Sequence, residues 1–353
     1  MDLERAPGPT WPTVLVPRVD AAPPRLPMRQ TERLLHIALR TPFEGQPSLA
    51  AALRSLACEY ADVEWMTAET RGTLVHDVLA AARALKPTLV FMQLQRRTPI
   101  TPAIVESLRV ISPDAVIVNW DGDQHHEPAS AERAWFVELG KVCDASLVVN
   151  TRHPAEYAAM GVRHPGYLQI GVDDRYRPTA PAKGVPRVVL LASNYATHRS
   201  RVELVRSLTE TLGPREFGVY GGGWNGAPAA RPMLHQDEEP PVYAGTRAAI
   251  SMSIRADLPR YTSDRLFRAL ASGALVFVER FPECETLGLR DGENCRLWSD
   301  WDELKALVTA PTAPEEQELA LRMNAAQLTR RYHTWHARMG ELLAIVDAVR
   351  GDR

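Results

Sequence analysis

The residues best suited to proton transfer lie in one short segment of the first half of the chain. Asn119-Trp-Asp-Gly-Asp-Gln-His-His126 directly follows the apolar run Ala115–Val118, which is typical of a buried strand. Two carboxylates and two imidazoles beside one turn are groups that exchange protons. Asp121, Asp123 and His125 are therefore candidate catalytic residues. The alternative is that these side chains cap a turn and the helix that follows it.

A second segment has the features of an anion site. Thr262 and Ser263 are good N-cap residues for the amphipathic stretch that follows them, and Gly273 is well placed to end that helix. The N-terminus of a helix presents unpaired N–H groups and a partial positive charge, which suits a phosphate. Arg265 could add charge-assisted contacts to a diphosphate. The alternative is an ordinary capped helix with solvated arginines.

Two upstream loops would lie near this helix. Leu190-Leu-Ala-Ser-Asn194 ends one predicted strand, and Tyr220-Gly-Gly-Gly-Trp224 follows another. Three glycines permit close approach of the backbone to a ligand, and a tryptophan could cover a base or a sugar. A flexible turn with a buried tryptophan is the alternative. The candidate ligand-binding residues of these loops and the next helix are Ser193, Asn194, Arg199, Arg201, Gly222, Gly223 and Trp224.

Basic residues recur at the predicted strand ends of the first half. Arg40 follows the first strand, Arg96 and Arg97 follow the second, and His126 lies in the acidic segment. Clustered arginines suit a phosphate-bearing acceptor, of which nucleic acid is one. Isolated surface arginines are the alternative.

The elements that must position these residues alternate along the chain. Continuous apolar strands between helices indicate a parallel sheet covered on both faces. The strands are predicted at His36–Arg40, Thr88–Leu94, Ala115–Trp120 and Ala145–Val149, and then at Arg187–Ala192, Glu216–Tyr220, Ala248–Ile254 and Ala274–Val278. In the first series, helices are predicted at Ser48–Tyr60, Gly72–Leu85 and Glu132–Val142.

This alternation of strands and helices in two series predicts two α/β domains with a cleft between them. We expect a proline-rich arm over 1–30, a first domain over 31–175, a linker over 176–186, a second domain over 187–312 and C-terminal helices over 313–353. The linker contains three prolines and a glycine. The C-terminal helices could pack back on the first domain. In each unit, ligands should collect at the carboxyl ends of the strands.

Composition fits this organisation. The 353 residues suit two domains better than one, and 45% hydrophobic with 24% charged residues is ordinary for a globular protein. No apolar run approaches the roughly 18 residues that would cross a bilayer, and no signal peptide is evident. The four cysteines lie far apart without metal-type spacing, which favours reduced thiols in the cytoplasm. The net charge of −2 argues against a surface coated in basic residues.

The second series resembles the GT-B glycosyltransferases of glycosyltransferase group 1, and in particular the branch with spore-coat-type and bacteriophage-encoded members. The resemblance runs from about His36 to Leu307. The segments that carry it are Val219-Tyr-Gly-Gly-Gly-Trp224, Tyr261–Gly273, Arg280-Phe-Pro-Glu-Cys-Glu-Thr-Leu287, Asp291-Gly-Glu-Asn294 and Trp298-Ser-Asp-Trp-Asp-Glu-Leu304. It implies a UDP- or GDP-sugar as co-substrate in the second domain, no tightly bound cofactor or metal, and a retaining transfer.

The chain departs from the family pattern at one position of the helix. Many relatives have a glutamate there that holds the nucleotide ribose, and this chain has Arg268. Asp264 or Glu285 could supply the carboxylate instead.

The resemblance also suggests an acceptor. Relatives in the phage-like branch have a similar Asn-Trp-x-Gly-Asp turn, which implies that Asp121 or Asp123 removes the proton of the acceptor hydroxyl, with His125 or His126 as base or phosphate partner. Together with the arginines, it suggests a hydroxymethylated pyrimidine in DNA as acceptor. The alternatives are transfer to a cell-surface glycan or protein, an inactive module that binds nucleotide sugars, and a nucleotide-sugar epimerase.

Overall fold

The structure of the protein, a computed structural model, describes residues 3–5, 15–17, 32–40, 46–123, 130–195, 199–311 and 314–352. Internal contacts divide the chain into two compact units. The first contains the residues up to Gly171 together with those from Trp335 onward, and the second is Val172–Thr334. The sequence-based boundary at 175 therefore lies a few residues beyond the division that the contacts give.

The first unit is built on an eight-stranded sheet with the order β1-β2-β8-β7-β6-β5-β3-β4. Its strands pair in parallel except for β1 with β2. The strands are β1 Leu3–Arg5, β2 Leu15–Pro17, β3 Glu32–Ala38, β4 Ala57–Glu64, β5 Leu89–Met92, β6 Val116–Asp121, β7 Ala145–Val148 and β8 Pro165–Tyr167. Every residue of the central strands β5, β6 and β7 is buried, which is why their sequences lack alternation.

Helices connect these strands and bury apolar faces against the sheet. In the helix before β5, for example, Leu74, Val78 and Ala82 are buried at a spacing of four residues, which puts them on one face. The helices of this unit are α1 Pro47–Leu56, α2 Trp65–Thr70, α3 Leu74–Leu85, α4 Pro102–Ile111, α5 Ala131–Gly140 and α6 His153–Ala159, with the last helix of the chain, α12 Trp335–Gly351.

One predicted element is wrong in its extent. The helix predicted over Ser48–Tyr60 ends at Leu56, and the next eight residues form strand β4 at the edge of the sheet. An edge strand is partly exposed, and most residues of β4 are accordingly not buried. It therefore lacks the continuous apolar run by which the central strands were predicted.

The second unit has a six-stranded, all-parallel sheet with the order β11-β10-β9-β12-β13-β14. Its strands are β9 Val188–Leu191, β10 Phe217–Tyr220, β11 Ala230–Arg231, β12 Ala248–Ser251, β13 Leu275–Glu279 and β14 Arg296–Trp298. Its helices are α7 Arg199–Leu212, α8 Glu239–Gly245, α9 Asp264–Ala271, α10 Trp301–Thr309 and α11 Glu315–Tyr332, with a short 3-10 helix at Cys284–Leu287.

The prediction of two parallel sheets flanked by helices is confirmed. The strand register brings Leu191 opposite Tyr220 and Ser251 opposite Val278, so the loops that follow these strands start at one edge of the second sheet. Within the described residues, no helix combines the length and apolar character that crossing a bilayer requires.

Candidate functional site

The acidic turn of the first unit is built around a buried carboxyl. Asp121 ends β6, is 0% exposed, and accepts the backbone N–H of Asp123 on Oδ1 at 3.0 Å. Gly122 lies against the ring of Trp120, where an added Cβ would be 2.5 Å from a ring carbon. Burial raises the pKa of Asp121 well above its usual range. Asp121 therefore shapes the turn, whereas Asp123 is only partly buried.

The two histidines of this segment, His125 and His126, lie outside the described residues.

Arg40, the first arginine predicted to bind an acceptor, is neutralised by its own unit. Its guanidinium contacts Glu64 at 2.6 Å and Asp62 at 2.8 Å, both on the edge strand β4. The sequence pattern missed that strand and therefore missed these partners.

Arg96 has a carboxylate partner as well. It contacts Glu69 at 2.6 Å, and its guanidinium lies 4.9 Å from the centre of the Trp65 ring. Arg97 is exposed next to it. Two of the three arginines of the expected basic patch thus have their charge balanced, which weakens the case for a phosphate-binding surface there.

In the second unit, the three-glycine turn packs on the loop after β9. Gly221 has φ +150°, and an added Cβ would be 2.4 Å from the carbonyl oxygen of Ala192. Gly223 has φ +80°, and an added Cβ would be 2.7 Å from the carbonyl oxygen of Asn194. The glycines are required because two backbones approach each other closely.

Hydrogen bonds fasten the same two loops. The N–H of Asn194 donates to the carbonyl of Gly222 at 2.8 Å, and the N–H of Gly222 donates to Ser193 Oγ at 3.2 Å. Trp224 is 5% exposed and donates its indole N–H to the carbonyl of Ala192 at 2.6 Å. Its ring is part of the core of this unit and does not offer a face to a base or sugar. Of the two roles that the sequence allowed for Trp224, the structure therefore shows the buried tryptophan.

Arg201 is a buried cation whose hydrogen-bonding capacity is not filled. It lies in the first turn of α7, is 2% exposed, and donates from Nη1 to the carbonyl of Ser193 at 2.9 Å. Its Nε and Nη2 atoms are buried and have no partner among the described residues. Burial, and then the charge of Arg265, lowers the pKa of Arg201 to about 10. An anion is the group that would satisfy this side chain.

Two other arginines belong to the same pair of helices. Arg265 is the second residue of α9, is half-buried, and forms no hydrogen bond or ion pair with any described residue. Arg199, the first residue of α7, is exposed. Arg265 and Arg201 are close enough for the charge of one to lower the pKa of the other, and neither forms an ion pair with a described carboxylate.

The N-cap side chain of α9 does not cap the backbone N–H groups of the first turn. Ser263 is the N-cap residue with extended backbone, and its side chain makes no capping bond. Its Oγ is buried without a partner among the described residues, and Thr262 beside it is buried too. The first-turn N–H groups of α9 are thus left uncapped by these side chains, as a helix N-terminus that binds an anion requires.

The carboxylates that the sequence offered as ribose ligands are engaged elsewhere. Asp264 pairs with Arg268 one turn further along α9. Arg268 also contacts Glu239 of α8 at 3.3 Å and lies 5.3 Å from the centre of the Tyr176 ring. Arg268, which stands where many relatives have a glutamate, is thus the centre of an ionic cluster with Asp264 and Glu239.

Glu285 is engaged in the same way. It forms an ion pair with Arg280 at 3.2 Å beside the short 3-10 helix.

A further acid, Glu279, lies at the carboxyl end of a strand in the second sheet and was not among the residues predicted from the sequence. It is the last residue of β13, and its Oε2 accepts the backbone N–H of Ser253 at 3.3 Å. Burial raises its pKa to about 7, against the opposing effects of the Ser253 hydrogen bond and the charge of Arg201. A polar residue that directly follows a predicted parallel strand was the available signal.

The described residues thus assemble a candidate anion site in the second unit. Arg201, Arg265 and the N-terminus of α9 supply positive charge and N–H donors, and Glu279 supplies an acid next to Arg201. This donor set matches the needs of a diphosphate.

Comparison with known proteins supports a related fold. Residues 199–344 match the protein family described as glycosyl transferase-like, which is less than half of the chain. No curated protein has a significantly similar sequence.

Among solved structures, Anabaena HepE in complex with UDP and glucose has a TM-score of 0.62 and 11% identity, over 89% of this chain and 99% of HepE. Sucrose-phosphate synthase from Thermosynechococcus elongatus has a TM-score of 0.55 and 12% identity, over 89% of each chain. The chain therefore has the fold of the GT-B glycosyltransferases, and its glycosyl transferase-like stretch includes Arg201, Arg265 and Glu279.

Proposed function

We propose that this protein is a glycosyltransferase that binds a UDP-sugar in its second unit. The observation that carries the proposal is Arg201, a buried guanidinium with two N–H-bearing nitrogens that no described residue satisfies. Its neighbour Arg265 is half-buried and open for a second contact. The glycosyl transferase-like match covers both arginines, and the structural neighbour HepE is known in complexes with UDP and with UDP-glucose.

The proposed chemistry follows from where negative charge grows. When the bond between the anomeric carbon and the phosphate oxygen breaks, the electron pair goes to that oxygen. Arg201 and Arg265, with the N-terminal N–H groups of α9, would stabilise the departing diphosphate, because charge-assisted hydrogen bonds strengthen as its charge increases. Ser193, Asn194 and Gly222 hold the adjoining loops in place through their mutual hydrogen bonds.

For the acceptor side, we infer that Asp123 is the better candidate for the base, because Asp121 is fully buried and its pKa is raised. We further infer a retaining transfer without a metal ion, in which the departing phosphate helps to take the acceptor's proton. The anomeric configuration of the product, read by NMR, tests the retention.

A hydroxymethylated pyrimidine in DNA is the acceptor that the sequence suggested, and it is retained as one candidate. The carboxylate partners of Arg40 and Arg96 count against it, because a DNA surface needs unbalanced positive charge. Transfer of labelled glucose to unmodified DNA, hydroxymethylated DNA and cell-surface glycans, tested in parallel, decides among these acceptors. Label on the glycans alone would exclude DNA.

Donor binding is tested by calorimetry with UDP-glucose and GDP-glucose. We expect UDP-glucose to bind and Arg265→Ala to weaken it by about ten- to a hundredfold, since a hydrogen bond to a charged group contributes about 1.5–3 kcal/mol. Arg206→Ala is the matched control, because Arg206 is exposed on α7 beyond the turn that contains Arg201. Absence of UDP-glucose binding, or equal loss in both variants, would contradict the proposal.

A further inference from the structure

One acid stands beside the proposed diphosphate site without a cation of its own. Asp264 and Glu285 each have an arginine partner, whereas Glu279 forms no ion pair with any described residue. Its one described hydrogen bond comes from the backbone of Ser253 and reaches Oε2. The other oxygen, Oε1, accepts no hydrogen bond from the described residues.

Among the described residues, few charged groups surround Glu279. Arg201 from α7 is the charged side chain that acts on it directly. Arg265 from α9 and the hydroxyl groups of Tyr195 and Tyr261 act in turn on Arg201. Arg280, the next residue after Glu279, is held by Glu285. Burial raises the pKa of Glu279 to about 7, although the Ser253 hydrogen bond and the positive charge of Arg201 act to lower it.

A bound diphosphate would change this balance in one direction. It would occupy the open N–H groups of Arg201 and add two negative charges nearby, so Arg201 would stabilise a carboxylate at position 279 less than before. A neutral carboxyl group, in contrast, has an O–H that can donate to a phosphate oxygen.

We propose that Glu279 contacts the diphosphate of the donor as the neutral acid, so that binding of the sugar nucleotide places a proton on this side chain. This inference rests on the proposed function of the second unit. The proton comes from the solvent and stays on the Glu279 carboxyl, which donates a hydrogen bond to a phosphate oxygen. As the bond from sugar to phosphate breaks, the same hydrogen bond would strengthen at the oxygen that gains charge.

The test measures protons taken up when UDP-glucose binds. UDP-glucose is the suitable probe because each of its phosphates has one ester and one anhydride bond and keeps only a strongly acidic oxygen, which does not titrate near neutral pH, so any proton taken up goes to the protein. Calorimetry at about pH 7.5, in buffers that differ in ionisation enthalpy, should give about 0.5–0.8 proton for the wild-type protein. Glu279→Gln should take up almost none, while Glu210→Gln, an exposed glutamate of α7, should match the wild type.

Affinity gives a second readout. The wild-type affinity for UDP-glucose should fall by up to about tenfold per pH unit above pH 7, and that of Glu279→Gln should stay nearly constant, since its amide still donates a hydrogen bond. UDP-glucose binding with no proton uptake in the wild type, or with equal uptake in Glu279→Gln, overturns this inference and leaves the proposed function intact. Failure of UDP-glucose to bind at all overturns the proposed function.

Discussion

At the scale of single residues, burial and partners separate side chains that look alike in the sequence. Asp121 and Asp123 are two residues apart, yet only Asp121 is completely buried. Arg40 and Arg201 both follow predicted strands, yet Arg40 contacts two carboxylates, whereas two nitrogens of Arg201 have no partner in the part of the chain that the structure describes. The chemical role of each residue follows from this environment rather than from its type.

Asp121 gives a prediction about pH and stability. Its pKa in the folded protein is raised by burial, so its contribution to stability is fully present at low pH and is lost as the pH rises through that pKa. We expect Asp121→Asn to have a Tm that exceeds the wild-type value by a few degrees at alkaline pH and approaches it on acidification. Thermal unfolding at several pH values measures this. A gap that widens toward low pH would show that Asp121 is ionised in the folded protein.

At the scale of elements, hydrogen bonds hold two loops of the second unit against each other. The turn after β10 and the loop after β9 share three hydrogen bonds, two from Asn194 to the carbonyls of Gly222 and Gly223 and one from Gly222 to Ser193, together with the indole hydrogen bond of Trp224. The first turn of α7 joins them through the bond from Arg201 to Ser193. Such preformed loops hold donors in position without an ordering cost when a ligand binds.

The three glycines of this turn make a graded test. Gly221→Ala and Gly223→Ala would force a Cβ within 3 Å of a carbonyl oxygen at positive φ, whereas at Gly222 the nearest atom is 3.9 Å away. We expect the first two to cost about 2 kcal/mol or more of unfolding free energy and Gly222→Ala to cost less than about 1. Urea denaturation measures the difference. Equal losses of unfolding free energy in all three variants would mean that the glycines are not required for the close approach of the two backbones.

At the scale of the whole molecule, the C-terminal helix α12 belongs to the first unit. Trp335, the first residue of α12, packs its ring against Trp120 with centroids 5.4 Å apart. Near the other end of that helix, Arg350 forms two bonds to the buried Glu32, at 2.7 and 2.8 Å. The last helix is thus a structural part of the first unit, although 163 residues of the second unit, Val172–Thr334, separate it in the sequence.

Removal of the Trp335 ring tests this arrangement. We expect Trp335→Ala to lower the unfolding free energy by about 3–5 kcal/mol, because a buried indole leaves a large cavity, and Trp335→Phe to lower it less. Denaturant unfolding measures stability, and UDP-glucose affinity of the folded variant serves as control. A change of affinity as large as that of Arg265→Ala would show that the helix also governs the ligand site.

The fold was largely predictable because parallel strands with both faces covered are apolar throughout, and the central strands β5, β6, β7, β9 and β10 have that signature. The edge strand β4 was not, because its residues are partly exposed and it lacks a continuous apolar run. Among the site residues, Arg201 and Arg265 could be named from their place after strands and at helix starts. Glu279 could have been named in the same way, because it directly follows a predicted strand, but the partners of Arg268 could not.

The sequence by itself therefore determined the two-sheet architecture and the edge at which polar groups would gather. Only the tertiary structure decided which of those groups are neutralised, which are buried and which keep open hydrogen-bonding capacity. The partners are distant in the chain: Arg268 meets Glu239 29 residues away, and Arg40 meets Glu64 24 residues away. Periodicity reports which face of an element is buried, but the charge state and availability of a side chain depend on neighbours that only folding brings within a few ångströms.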